Sequence, residues 1–283
     1  MIILFYQQKN GVCQEMEQKK DNKKIWLAVG ILFAAAAVLA VCYMASEYSR
    51  RQNTASAYEE MAEETNAVSD LETETEAEEQ SLEPLVEIPE KNLDWDALHE
   101  ENEDIYAWIY VPDTDVDYPV LRHPTDNSYY LNRNIDGTEG YPGCIYSEDY
   151  NAMDFSDIHT VLYGHNLKDG TMFTSLHNFE DPALLKEDHY IFIYTEDAAF
   201  AYQIFAAYEY GKIHLLDNFD YSNKNVYENY LQSVYAAKEQ GANIRTDIPV
   251  TTDDRIITLS TCTEDHNPEL RYLVTGVLLG SGA

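Results

Sequence analysis

A run without a single charged residue extends from Ile25 to Ala45, IWLAVGILFAAAAVLAVCYMA, and constrains the chain more than any other feature. About 20 apolar residues at a rise of 1.5 Å cross the hydrocarbon core of a bilayer. A secretory signal peptide is the competing reading, and small residues at Ala55–Ala57 follow the run. The stretch exceeds the usual signal core of about 7–15 residues, so an uncleaved anchor over 25–46 is expected. Lys9, Lys19, Lys20, Lys23 and Lys24 precede it, and only Arg50 and Arg51 closely follow. That asymmetry places segment 1–24 in the cytoplasm and the remainder outside, as a single-pass protein of the cell membrane. Met16 makes an equally good start, because MEQKKDNKK leads straight into the anchor.

Beyond the anchor the composition changes. From Glu59 to Glu90 there are thirteen acidic residues and no Lys or Arg. Such a stretch has too little apolar surface to offset its ordering entropy, so 47–92 is expected to be a disordered, self-repelling stalk. Residues 93–283 form the expected globular domain, itself acidic at a net charge of −24, against −33 for all 283 residues. A surface so poor in Lys and Arg argues against nucleic acid as a partner. Cys13, Cys42, Cys144 and Cys262 share no close spacing, which excludes a CxxC metal or redox motif and a dense disulfide framework.

Within the domain, Leu93, Trp95, Leu98, Ile105 and Trp108 recur near helical spacing, with a break expected near Asn102. Short segments rich in Tyr, Val and Ile follow, separated by Asp, Asn, Gly and Pro: TDVDYPVL, YPGCIYS, HTVLYGH, HYIFIYT and AFAYQIFAAYEY. One helix is expected over Asn223–Gln240, with Val226, Tyr230, Val234 and Tyr235 on one face. RIITLSTC and RYLVTGVLLG close the chain. Many strands and few helices indicate a mainly β fold, a closed or nearly closed barrel with helical additions.

Cys262 ends the run Arg255–Cys262 and precedes a polar, Pro-containing loop, so it belongs at the mouth of the sheet. Arg271 opens the next strand, and an antiparallel hairpin would bring it beside Cys262. A guanidinium there can hold a substrate carbonyl or an oxyanion and favours a thiolate. His165 ends another strand just past Gly164 and can exchange protons with a cysteine nucleophile and its leaving group. Ser260 shares the face of Cys262 by alternation and is a candidate groove residue. Cys144 reads as a small core residue, and His266 is the competitor to His165. The pairs Asp253–Asp254 and Glu264–Asp265 read as solvated turns, lacking the spacing of a calcium loop. Spacing alone leaves other readings open: a small core cysteine, a different cell-wall Cys–His enzyme, or a membrane-tethered acidic binding module.

TLSTC at Thr258–Cys262, with Arg271 nine residues on, resembles the TLxTC signature of sortases. LYGHNLKDGTMFTSL (Leu162–Leu176) and DNSYYLNRNIDG (Asp126–Gly137) resemble class B segments. The resemblance implies an eight-stranded sortase-type β-barrel with N-terminal helices and a helix inserted before the nucleophile strand. Class B is expected over class C, whose lid and second hydrophobic segment are not apparent. It also implies a cysteine transpeptidase that cleaves a C-terminal sorting signal after Thr through a thioacyl-enzyme, with catalytic Cys262, His165 and Arg271 and with Tyr163 and Asn127 lining the groove. The implied partners are sorting-signal-bearing secreted proteins and a peptidoglycan-precursor or pilin amine. The scheme calls for no cofactor or metal.

Overall fold

The computed structural model describes residues 2–66 and 86–282, and the chain divides into two compact units, Met1–Asn53 and Thr54–Ala283. The first helix, α1, spans Ile2–Asn66. In the first unit it exposes Ile31, Leu32, Phe33, Val38 and Leu39. The stretch Val29–Thr65 contains a window long and apolar enough to cross a membrane.

Among its described residues the second unit is built on nine strands: β1 (Ile105–Val111), β2 (Val116–Leu121), β3 (Ile145–Tyr146), β4 (His159–Tyr163), β5 (Tyr190–Tyr194), β6 (Ala199–Gly211), β7 (Asn243–Ile244), β8 (Ile256–Thr261) and β9 (Leu270–Gly282). Their order is β5-β1-β2-β3-β4-β8-β9-β6-β7, and a further pairing of β5 with β6 closes eight of them into a barrel. The two-residue β7 stands outside the ring, paired to Ala206 and Ala207 of β6. Closure removes the unpaired edges that an open sheet would present. The long strands β6 and β9 pair along their whole lengths, with bulges at Ala201/Tyr202 and Ile204/Ala206. Bulges raise local twist, which helps a sheet curl upon itself.

Alternation along the strands separates two apolar clusters. Leu162, Ile257, Leu259 and Val274 belong to the cluster that fills the barrel with Trp108, Ile193 and Tyr202. Val161, Ile256 and Leu273 belong to a second cluster with Tyr227, Tyr230, Leu231 and Val234. Those four are the buried residues of α4 (Lys224–Ala236), whose N-cap Asn223 accepts from the amide of Asn225. The expected helix is therefore present, its last residues Ala237–Gln240 tightening into a 3-10 turn. Tyr227 and Leu231 take the places on its buried face that the sequence pattern assigns to Val226 and Tyr235. The helix follows the short helix α3 (Leu215–Asn218), and both lie between β6 and β8, where an inserted helix was expected.

Three expectations change. The helical spacing of Leu93–Trp108 holds only over α2 (Trp95–Glu101). Asn102 ends it: its side chain donates to the Ile135 carbonyl and accepts from the Asp104 amide, and Ile105–Val111 continues as β1. YPGCIYS shortens to Ile145–Tyr146, paired in parallel with β2. The expected disordered stalk, 47–92, is structured at both ends. Tyr58 is 3% exposed, donates its hydroxyl to the Gly143 carbonyl at 3.0 Å and meets Tyr118 edge-on. On the returning side, Val86 and Ile88 join the barrel core, the Pro89 carbonyl accepts from Tyr194, and Lys91 pairs with Asp117 at 2.9 Å. Average composition concealed these few anchoring residues; the central part, 67–85, lies outside the described residues.

His159, at the start of β4, is almost fully buried between Tyr221 and Tyr230, with Nε2 2.8 Å from the Thr258 hydroxyl. Burial lowers its pKa from 6.5 to about 3. The unfolded chain therefore takes up this proton first: the contribution to stability is complete above about pH 6.5 and is lost as the pH falls toward 3, up to about 5 kcal/mol. In denaturant titrations of the full chain in detergent, His159→Gln should flatten the fall in stability between pH 6.5 and 4. An unchanged slope would contradict this assignment.

Candidate active site

β4, β8 and β9 are neighbours in the barrel. β4 runs parallel to β8, with Tyr163 opposite Ser260, and the Gly164 amide donates to the Ser260 carbonyl at 3.1 Å. Two residues further along each chain come His165 and Cys262. β8 runs antiparallel to β9, with Thr261 opposite Tyr272, so the next pair in this register is Cys262 and Arg271. Counting in twos from Val161, Ile256 and Leu273 of the α4-side cluster reaches His165, Cys262 and Arg271. All three side chains therefore leave the same outer face of the sheet.

They meet in a cleft of about 380 Å³ that Tyr163 and Ser260 also line. Leu131 and Tyr146 contribute from the β2–β4 region, and Lys212, Ile213 and His214 from the turn after β6. Cys262, His165 and Arg271 are half-buried, reachable yet partly shielded from water. Arg271 lies beside Tyr146, whose pKa is raised by burial and only partly countered by the guanidinium. Arg271 also donates to the Leu270 carbonyl at 2.7 Å, which folds the side chain along its own strand.

His165 Nε2 lies 2.6 Å from the Leu131 carbonyl, so that nitrogen carries the proton and donates it. In the neutral ring Nδ1 then holds the lone pair. Burial lowers the His165 pKa, while the Leu131 carbonyl opposes the shift by stabilising the charged ring. Two glycines make room for this arrangement. A Cβ on Gly143 would come within 3.3 Å of His165 Cδ2, and one on Gly164 within 2.5 Å of Ile145 Cδ1 and 2.7 Å of Phe173 Cδ2.

Asn127 is not in this cleft. Its side chain binds Asp149 twice, donating to the carboxylate at 2.6 Å and accepting from the amide at 3.0 Å, and so ties two loops together. His266 is exposed in the β8–β9 loop and is not among the cleft residues. Cys144 is buried, and burial pushes its thiol up to about 12, an inert core position. Asp265 accepts from Thr263 and Asn267, and Asp254 from Thr251, as side chains that organise turns.

Sequence reasoning missed several neighbours. Glu148 lies 2.5 Å from His214 and accepts from the Tyr163 hydroxyl at 3.1 Å, fixing two cleft residues through one carboxylate. Behind Cys262, His177 and Asn166 reach its carbonyl at 3.0 and 3.3 Å. His177 lies in a 3-10 turn, Thr174–Glu180, where helical or strand periodicity gives no signal.

A sortase-domain family model matches residues 109–279, a span that runs from β1 to β9 and takes in the whole cleft. The chain belongs to the sortase family. Sortase B of Listeria monocytogenes is 34% identical over 184 residues, 64% of this chain and 72% of its own length. A Staphylococcus aureus sortase B–substrate complex superposes with a TM-score of 0.56 at 28% identity, covering 65% of this chain and 84% of that one. Sortase B from Bacillus anthracis in complex with AAEK1 gives 0.61 at 25% identity, covering 83% and 99%. This sortase is accordingly of class B, a cysteine transpeptidase, which sets aside the other Cys–His enzymes and the binding module. Its eight-stranded barrel is the sortase fold.

Because the Cβ of Gly164→Ala would collide with Ile145 and Phe173, this sortase should lose about 1–3 kcal/mol of stability. The backbone shift also displaces His165, so turnover should fall more than the folded fraction does. A variant with wild-type turnover and melting temperature would contradict the close fit at this strand end.

Proposed function

We propose that this sortase cleaves a C-terminal sorting signal after a Thr and transfers the protein to an amine on the cell wall or a pilin subunit. The observation that carries the reading is the convergence of Cys262, His165 and Arg271 in one cleft from three adjacent strands. Cys262 passes its thiol proton to His165 Nδ1, and Sγ attacks the Thr carbonyl carbon to form a tetrahedral adduct. Arg271 holds the negative oxygen or the substrate backbone beside it. The C–N bond breaks, the leaving amine takes a proton from His165, and a thioester on Cys262 remains. The acceptor amine then attacks that thioester, gives up a proton, forms the new amide and returns the thiol.

His165 suits both proton transfers. Its Nε2–H is committed to Leu131, so Nδ1 is the site that gains and releases the proton. Ser260 and Tyr163 bound the groove in which the signal lies. The apolar helix within Val29–Thr65 anchors the enzyme with its Lys-rich segment in the cytoplasm and its catalytic unit outside. Secreted substrates emerging from the membrane then meet the cleft.

Fluorogenic peptides with NPxTN-like and xPxTG-like signals, offered to the full chain in detergent with an amine acceptor, test this reading. Cys262→Ala should lower kcat by about 10⁴-fold or more. Arg271→Ala should lower it by roughly 10²- to 10³-fold, the usual cost of one oxyanion donor. Among the described residues His165 and His214 are the histidines lining the cleft, and His214 is held by Glu148. His165→Ala should therefore resemble the cysteine variant, while His266→Ala, outside the cleft, stays near wild type. Cleavage that survives in Cys262→Ala would sink the proposal.

A further inference from the structure

The carbonyl of Cys262 is bound from behind by a side-chain cluster that lines no part of the cleft. His177 Nε2 lies 3.0 Å from that oxygen, and Asn166 Nδ2 donates to it at 3.3 Å and to the Thr263 carbonyl at 3.3 Å. On its other edge His177 places Nδ1 2.6 Å from Glu180 Oε1. The ring is stacked on Tyr272 of β9, centroids 4.4 Å apart, and its side chain is 12% exposed. Asn166 Nδ2 is also 3.1 Å from His177 Nε2.

The Cys262 carbonyl favours one assignment of the ring. A carbonyl oxygen only accepts, so Nε2 must carry a hydrogen to bind Cys262. A bare Nε2 at 3.0 Å would set two lone pairs against each other. Asn166 and His177 then converge on the carbonyl as two donors. At the other edge Nδ1 faces the Glu180 carboxylate at 2.6 Å. Glu180 is the charged group on His177's own turn, and the Tyr272 phenol is the titratable group packed against its face from β9.

We propose that His177 is a positioning residue for the transpeptidation: held by Glu180 and Tyr272, it fixes the Cys262 carbonyl and so the direction in which Sγ enters the cleft. The residue never touches substrate and acts through the main chain of the nucleophile. Cys262 needs such a hold because β8 ends at Thr261, so the strand ladder does not hold the nucleophile itself. The inference rests on the reading of Cys262 as the nucleophile.

The test compares His177→Ala and His177→Gln in the full chain in detergent, with the fluorogenic peptide as donor. Gln keeps a donor near the Nε2 position and gives up the bond to Glu180. The Ala variant should lose kcat by on the order of 10- to 100-fold, with the peptide KM nearly unchanged. The Gln variant should return to within a few fold of wild type. Equal impairment of Ala and Gln, a loss confined to KM, or wild-type kcat in Ala would each overturn the proposal. In wild-type protein carrying ¹⁵N-histidine, the His177 Nε2 should bear a proton, and a bare Nε2 would equally overturn it. That spectrum is independent of Cys262 chemistry: a protonated Nε2 with no kinetic effect rejects the positioning role alone. Wild-type protein that forms no peptide adduct on Cys262 would instead reject the reading beneath it.

Discussion

β4 and β8 lie side by side and run the same way, so both end at one mouth of the barrel. Parallel neighbours cannot be joined by a tight turn. The chain between them therefore has to travel, and it builds β5, β6, α4 and β7 on the way. Through that pairing two residues far apart in sequence arrive at neighbouring strand ends on the same face. Antiparallel β9 then returns beside β8 and delivers Arg271 to the same spot. A one-residue slip in either ladder would turn one of the three side chains into the core. The buried alternation of Val161 with Leu162, Ile256 with Ile257 and Leu273 with Val274 guards against that slip, since each member fills a different apolar cluster.

Around these strand ends the polar groups are tied to main-chain carbonyls more than to one another. His165 spends one nitrogen on Leu131, Arg271 one amino group on Leu270, and His177 one nitrogen on the Cys262 carbonyl. Each bond settles a rotamer or a tautomer before substrate arrives, and preorganisation of that kind is where such sites gain rate. Glu148 plays a comparable part within the cleft, where it orients Tyr163 and His214 together. The domain's many carboxylates are otherwise spread over turns, where Asp126 and Asp154 accept from the amides of Ser128 and Ser156, and Asp265 accepts from the Thr263 hydroxyl and the Asn267 amide.

Much of this was legible in the sequence. TLSTC at a strand's end, a His after Gly164 and an Arg opening the next strand placed three side chains on one face, because strand alternation and hairpin geometry are local rules. The long apolar helix and α4 were visible as well. What escaped has a common physical origin. Asn102 ends a helix with side-chain bonds that spacing does not encode, so the helical pattern runs on through Ile105–Trp108 where the backbone does not. Tyr58 docks onto Gly143 across 85 residues of sequence, a tertiary contact hidden inside an acidic composition. Asn127 followed a resemblance into the groove, while its own geometry binds it to Asp149. Glu148 and His177 sit in loops and 3-10 turns, where no periodicity marks which side chain will face inward.

The most direct measurement is the mass of the full chain in detergent after mixing with a sorting-signal peptide in the absence of any amine acceptor, followed by mapping of the modified fragment. Transfer through Cys262 requires an added mass equal to the peptide portion up to and including its Thr, attached to Cys262 and released by an added amine with formation of the amide product. Peptide cleavage with no adduct on Cys262, or an adduct located on another residue, would contradict it.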